Sequence, residues 1–298
     1  MELDNSSFTK FDVDGYIPPI NFLVSTTSNG ILYFDGTEFK KILSVPLAYG
    51  ITKYKDEWWV FAQDNEKGFV VSFNIRDQKG YNLRVRIDGL SKAIHQIDFI
   101  GNELVVADTL ENRILTFREP YLSDKVLGFS NFASWLTPRR EYCHMNSIFA
   151  TDDKAYVLAH NETFKTGKKS EVFVYDKTFH NLGESILTDC SSAHNFYKDD
   201  EKELICNSEE GTLLCNGKVV FECDEKSFTR GLAVSSDFIL VGSSGISPIR
   251  KNRNRRTGHI YVLDNAFNKL GKIGIRNTQM MDIRRVDAID LGLSNKAV

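Results

Sequence analysis

A polar residue opens each of five short apolar runs in this sequence, and those residues are chemically unusual. Aligned, the runs read Tyr49-Gly50-Ile51, His95-Gln96-Ile97, Asn146-Ser147-Ile148, His194-Asn195-Phe196 and Arg230-Gly231-Leu232, with an apolar or aromatic residue always third. His144 lies two residues before Asn146, and His160 ends the run 155–160. Neutral imidazole is a common transition-metal ligand, so His95, His144 and His194 form a candidate set for one divalent transition-metal ion, with His160 as a fourth ligand or a supporting partner. Without a metal the same side chains suit acid–base work. Histidine exchanges protons near neutral pH, Tyr49 can act as partner acid or base, and Arg230 can clamp a carboxylate or phosphate through two parallel hydrogen bonds. His95, His194, Arg230 and Tyr49 are therefore the candidate catalytic residues, and Asn146, Asn195 and His160 candidate ligand contacts. Such a set fits proton abstraction beside a carboxylate, as in elimination or epimerisation. Singly, each histidine reads more simply as a hydrogen-bonded structural residue; their shared register is what points to a pocket.

The elements that carry these residues are strands. Helical periodicity is nearly absent, and runs of Val, Ile, Leu, Phe and Tyr alternate with clusters of Gly, Asn, Asp and Ser. A four-strand unit recurs, marked by apolar second strands at 58–62, 104–108, 155–160, 204–207 and 238–242. Third strands follow at 69–73, 113–117, 171–175, 211–215 and 259–263, and fourth strands at 83–87, 125–129, 184–187, 218–222 and 270–275. Residues 21–25, 30–34 and 39–43 read as second, third and fourth strands with no first strand, whereas 279–285 reads as a first strand with no blade. An all-β six-bladed β-propeller of four-stranded blades, its last blade closed by strands from both termini, accounts for both remainders and leaves no free sheet edge. The expected blades are 20–44 with 276–289, then 48–87, 91–129, 142–187, 191–225 and 228–275, in a single domain over 1–298; residues 1–19 and 290–298 read as terminal extensions. In the closing blade the first aligned position falls on Gln279 or Met281.

This repeat pattern resembles the broad superfamily of six-bladed propellers that includes NHL-repeat, YWTD-type and gluconolactonase-like proteins. More narrowly, the strings HQID at 95–98, HMNSI at 144–148, LAHN at 158–161, AHNF at 193–196 and TRGLAV at 229–234 look like a bacterial propeller group that carries no assigned activity. The resemblance implies the fold and leaves the reaction open.

Composition narrows the partners. The 298 residues are 42% hydrophobic and 26% charged with a net charge of −3, an ordinary globular balance that argues against nucleic acid as a partner of the whole surface. No apolar run is long enough to span a membrane, and Asp4, Lys10, Asp12 and Asp14 stand where a signal peptide would be apolar, so a cytoplasmic location and no membrane partner are expected. Five cysteines without a CxxC pair read as buried free thiols. The sequence has no Walker A loop, dinucleotide fingerprint, HExxH or nucleophile elbow, so no nucleotide cofactor is expected. The long loops 130–141, 162–170 and 243–257 should share one face of the ring, and they are basic: Arg139 and Arg140; Lys165, Lys168 and Lys169; then Arg250, Lys251, Arg253, Arg255 and Arg256. A positive collar of this kind, with Arg250 and Arg253 as ligand contacts, favours a small anionic ligand. The expectation is an enzyme acting on a small anionic, sugar-derived substrate at the channel mouth, of lyase, epimerase or hydrolase type. The alternative is a non-catalytic propeller that binds an acidic ligand or a protein partner, with Phe132, Trp135 and Phe164 as exposed anchors.

Overall fold

A computed structural model of the chain describes residues 1–118, 127–128, 143–179, 182–247 and 250–295. Local turn chemistry produces its hairpins. An aspartate at the head of a turn accepts backbone N–H groups two or three residues on, as Asp35 does from Thr37 and Glu38, Asp64 from Glu66 and Lys67, and Asp199 from Glu201 and Lys202. Each such turn reverses the chain, and four successive antiparallel strands make a blade. Among the described residues the four-stranded sheets begin with the inner strands Leu47–Tyr54, Gln96–Ile100, Met145–Ala150 and His194–Lys198. A fifth blade runs outward from the inner strand Ser227–Val234. The sixth pairs Met280–Arg285, near the C-terminus, with Phe22–Thr26, near the N-terminus, so the ring closes with strands from both ends of the chain.

The N-terminal stretch, expected as a terminal extension, is built into the blades. Glu2–Phe8 adds a fifth, outermost strand to the closing blade through Phe39–Ser44, and Phe11–Gly15 does the same for the preceding blade through Lys269–Ile275. One segment thus ties the two blades that flank the point of closure. The sequence signal was weak because these outer strands are largely exposed and alternate poorly.

Packing is sheet against sheet, and the core is distributed between neighbouring blades. Phe22, Val24, Leu32, Phe34 and Phe39 of the closing blade, for example, bury themselves against Leu240, Ile260, Val262 and Ile273 of the fifth. Cys143, Cys190, Cys206 and Cys223 are buried free thiols, and Cys215 is half-buried.

Residues 290–295 also form part of the body. At the far ends of the inner strands, Leu291 N–H donates to the Val234 carbonyl, the Ala150 N–H donates to Ser294 Oγ at 2.8 Å, and Ser294 N–H and Oγ both reach the Asp98 carboxylate. The tail therefore lies across one end of the channel, and the histidines stand at the other.

Candidate functional site at the channel mouth

Register decides which side chains reach the mouth. In every blade the third aligned residue pairs with the middle of the second strand: Ile51 with Val60, Ile97 with Val106, Ile148 with Val157, Phe196 with Ile205, Leu232 with Val241 and Ile283 with Val24. This makes Met281, and not Gln279, the first-position residue of the closing blade. Just before that pair the ladder slips around Tyr49-Gly50, at Asn146, at Asn195, around Arg230-Gly231 and at Met281. A bulge interrupts pairing and re-aims side chains, which is how a regular ring comes to present irregular chemistry. Gly231 shows the steric demand: its φ is +94°, and a Cβ there would lie 3.0 Å from the Ile283 side chain.

Four histidines meet at this opening. Ring centroids are 4.8 Å apart for His95 and His144, 4.5 Å for His144 and His160, 5.1 Å for His160 and His194, and 6.0 Å for His194 and His95, a closed circuit. Tyr49 stacks on His95 with centroids 5.3 Å apart, and the Arg230 guanidinium lies 5.3 Å from the Tyr49 ring. Phe228 packs edge-on against His194. The sequence-based set of His95, His144, His160, His194, Tyr49 and Arg230 is thus brought together by six separate stretches of chain.

Hydrogen bonds set the proton positions on two of the rings directly. His194 Nδ1 lies 3.1 Å from the Ser192 carbonyl and 3.0 Å from Ser208 Oγ; a carbonyl only accepts, so Nδ1 carries the proton and Nε2 the lone pair. His160 is the reverse. Its Nδ1 accepts the Glu162 backbone N–H at 2.9 Å, which leaves the proton on Nε2. Glu162 Oε1 also stands 3.6 Å from His144 Nδ1.

Burial keeps these imidazoles neutral. Desolvation lowers the His144 pKa to about 4, with Glu162 opposing and Arg230 and Lys165 adding to the shift. His160 falls to about 2 through burial, then through His144, Arg230 and Lys165. His194 lies well below its ordinary value for the same first reason, followed by Arg230 and the other three histidines. Arg230 is itself lowered by burial, to about 10, against the pull of Tyr49 and Asp282. No described residue forms a hydrogen bond or salt bridge with its guanidinium, which lies over the Tyr49 ring.

Other expected site residues have structural partners. Asn146 Nδ2 donates to the Ala193 carbonyl at 2.8 Å, and Asn195 Oδ1 accepts the Gly231 N–H at 2.8 Å, so both staple adjacent blades. Asp282 accepts the Ile51 N–H and pairs with the fully buried Arg284 at 3.1 Å, while Asp98 is held by Thr52 and Ser294. Of the basic loops, Lys165 reaches the mouth: its Nζ holds both Glu162 oxygens at 2.8 and 2.9 Å. Arg253 turns inward to its own loop, donating to the Ser247 carbonyl, and the next residue, Asn254, accepts from Thr27 in the closing blade. Residues 130–141, with Phe132, Trp135, Arg139 and Arg140, and the side chain of Arg250 lie outside the described residues. Phe164 is exposed on a one-turn helix, Thr163–Thr166. The candidate metal set His95, His144 and His194 is gathered as ring neighbours; among the described residues no three His, Cys, Asp or Glu side chains are arranged as they stand to hold an ion. Reading from the sequence missed Glu162, Ser192 and Ser208. Only the adjacency of Glu162 to His160, in the string HNE, hinted at the first.

No family model matches the sequence, and no curated protein matches it either. Solved structures do. A chain of a nidogen–laminin complex is 12% identical over 92% of this chain and 98% of that one, with a TM-score of 0.65. A candidate 6-phosphogluconolactonase from Bacteroides fragilis is 13% identical over 90% and 98%, at 0.54, and a candidate glucose dehydrogenase from Thermus thermophilus 14% over 85% and 100%, at 0.55. The likeness is one of fold. Identities this low carry the six-bladed propeller and nothing of the reaction. No helix among the described residues is long and apolar enough to cross a membrane.

Proposed function

We propose that the histidine-lined mouth binds a small anionic, sugar-derived substrate and acts on it by histidine acid–base chemistry of lyase, epimerase or hydrolase type. One observation carries the reading: Arg230 is a desolvated cation among neutral imidazoles, and no carboxylate among the described residues contacts it. Elsewhere in the channel the buried cation has its anion, as Arg284 has Asp282. A buried charge without a counterion is costly, so a guanidinium with no partner carboxylate among the described residues suits a ligand that supplies the negative charge. His194, with Nδ1 tied to a carbonyl and Nε2 bearing the lone pair, is placed for a base, and His95 and Tyr49 complete the wall beside Arg230. The same orientation of His194 suits a metal ligand, so one divalent ion on His95, His144 and His194 is the metal-dependent form of this proposal.

A second reading has its own support. Imidazoles held neutral this firmly are weak bases but good hydrogen-bond partners, and Phe164 stands 89% exposed on the rim, which suits a non-catalytic module for an acidic ligand or protein. A thermal-shift screen of uronates, sugar phosphates, nucleotide sugars and acidic oligosaccharides, run on the wild type and Arg230→Gln, separates the outcomes. Anions that raise the melting temperature of the wild type alone support the site. Turnover of a hit identifies the enzyme, its absence favours the binding module, and hits that are all neutral or cationic overturn the proposal.

A further inference from the structure

The loop after His160 adopts an uncommon backbone. Asn161 and Glu162 are consecutive non-glycine residues in the left-handed region, with φ of 57° and 45°. Such residues persist where surrounding contacts over-determine them, and here the contacts are visible. Asn161 Nδ2 donates to the Lys169 carbonyl and to Glu171, Thr166 Oγ1 donates to the Asn161 carbonyl, and Lys165 Nζ holds the Glu162 carboxylate. The result is that one residue touches two imidazoles in opposite senses. Its backbone N–H donates to His160 Nδ1, and its carboxylate faces His144 Nδ1.

We infer that Glu162 is a positioning residue that assigns opposite tautomers to neighbouring imidazoles, making His144, like His194, a lone-pair acceptor at the channel mouth and His160 an N–H donor there. A nitrogen that accepts an N–H bond carries no proton, so His160 presents Nε2–H; a nitrogen that faces a carboxylate carries the proton, so the His144 lone pair is on Nε2. The two rings are 4.5 Å apart, close enough to address one small ligand.

The consequence for chemistry rests on the proposed anion site and narrows its substrate to a carboxylate with a proton on the adjacent carbon. With the carboxylate on Arg230, His144 Nε2 takes that proton. The C–H bonding pair moves into a C=C bond, the charge collects on the carboxylate oxygens, and the His160 Nε2–H hydrogen-bonds to the oxygen that gains it. His160 keeps its proton throughout. The intermediate then either recovers a proton at carbon or expels a β-substituent with its bonding pair, and that leaving group takes the proton from His144. Protons and electrons balance without oxidant or metal.

The test reads tautomers in the free protein, so it stands or falls separately from the anion proposal. The full chain labelled with ¹⁵N-histidine, with signals assigned through His144→Asn and His160→Asn, should show in two-bond ¹H–¹⁵N spectra a bare Nδ1 on His160 and a bare Nε2 on His144. Glu162→Gly keeps the backbone N–H and tolerates the left-handed conformation but removes the carboxylate. It should leave His160 unchanged while the His144 tautomer preference is lost. Glu162→Gln, which keeps the side-chain volume, should move the His144 signals the same way and those of His160 not at all. A bare Nδ1 on His144 in the wild type, or His144 signals unmoved in both variants, overturns the inference. Both rings changing together would show a loop held only for structure and overturns it as well.

Discussion

Acid should weaken the fold through the histidine mouth, and the size of the effect follows from the site. In an unfolded chain an imidazole takes up a proton near pH 6.5, whereas folded His144 does so near 4 and His160 near 2. Between those values the unfolded state binds more protons, so the stabilisation from neutral histidine is fully present above pH 6.5 and is lost as pH falls toward the folded values. At pH 5 each group forfeits about 2 kcal/mol, and the pair up to roughly 4, an upper bound because the rings interact and titrate together. Asp282 works against this. Its folded pKa is raised to about 6 by burial, so the folded state gains a proton first on acidification. That returns about 1.4 kcal/mol by pH 5. A pH profile of the wild type alone therefore mixes two signs, and a variant separates them. In His144→Asn with His160→Asn, an amide oxygen can accept in place of His160 Nδ1 and an amide N–H can face Glu162 in place of His144 Nδ1–H, and asparagine tolerates the left-handed conformation at position 144. Urea unfolding at pH 7 and pH 5 should show the wild type losing up to roughly 4 kcal/mol more than the double variant, in which His194, lowered by burial, and Asp282, raised by it, remain and oppose one another. Equal pH dependence in the two proteins would refute the claim that the mouth holds its imidazoles neutral.

Three further outcomes are expected. Removal of residues 276–298 takes away Met280–Arg285, whose six residues are all buried, and should abolish soluble folded protein; near-normal thermal stability would contradict the ring closure. Removal of 290–298 alone should keep the fold but lower its stability by a few kcal/mol, because Asp98 and the Ala150 N–H lose Ser294, and an unchanged melting temperature would show the tail to be ornamental. If the metal-dependent form is correct, protein purified without an affinity tag should carry about one divalent transition ion per chain, lost in His95→Ala and in His194→Ala. Protein that stays metal-free and gains no stability from added zinc, manganese or iron leaves the metal-free chemistry.

The fold was legible because its signals are local and repeated. Apolar second strands such as 104–108 and 155–160 recur between turn residues, and the unpaired strand at 279–285 needed a partner near the N-terminus, which Phe22–Thr26 provides. What escaped was information carried by single contacts. The outer strands Glu2–Phe8 and Phe11–Gly15 bury little, so no periodicity marked them. The approach of His95 and His194 was readable from register, since equivalent positions in a closed ring must face the same axis; His144, before an inner strand, and His160, ending a second strand, fall on the same rim of the ring. Their protonation was not. It depends on the Ser192 carbonyl, Ser208 Oγ and the left-handed turn at Asn161-Glu162, and backbone conformation of that kind leaves no trace in residue types. In the basic run 250–256 charge is visible in sequence and direction is not: Arg253 donates its Nε to the Ser247 carbonyl.

The central claim is that Arg230 awaits an anion, and calorimetric titration tests it most directly. An anionic hit from the screen should bind the wild type at both low and moderate salt, because contact with a desolvated guanidinium is screened far less than attraction to an exposed loop. Arg230→Gln should weaken that binding by about 2–5 kcal/mol at either salt concentration, as expected when one partner of a buried charge pair is removed. Replacing Arg253, Arg255 and Arg256 with Ser should alter binding only at low salt. Should Arg230→Gln bind the anion as tightly as the wild type, the mouth is not the anion site and the account built on it fails.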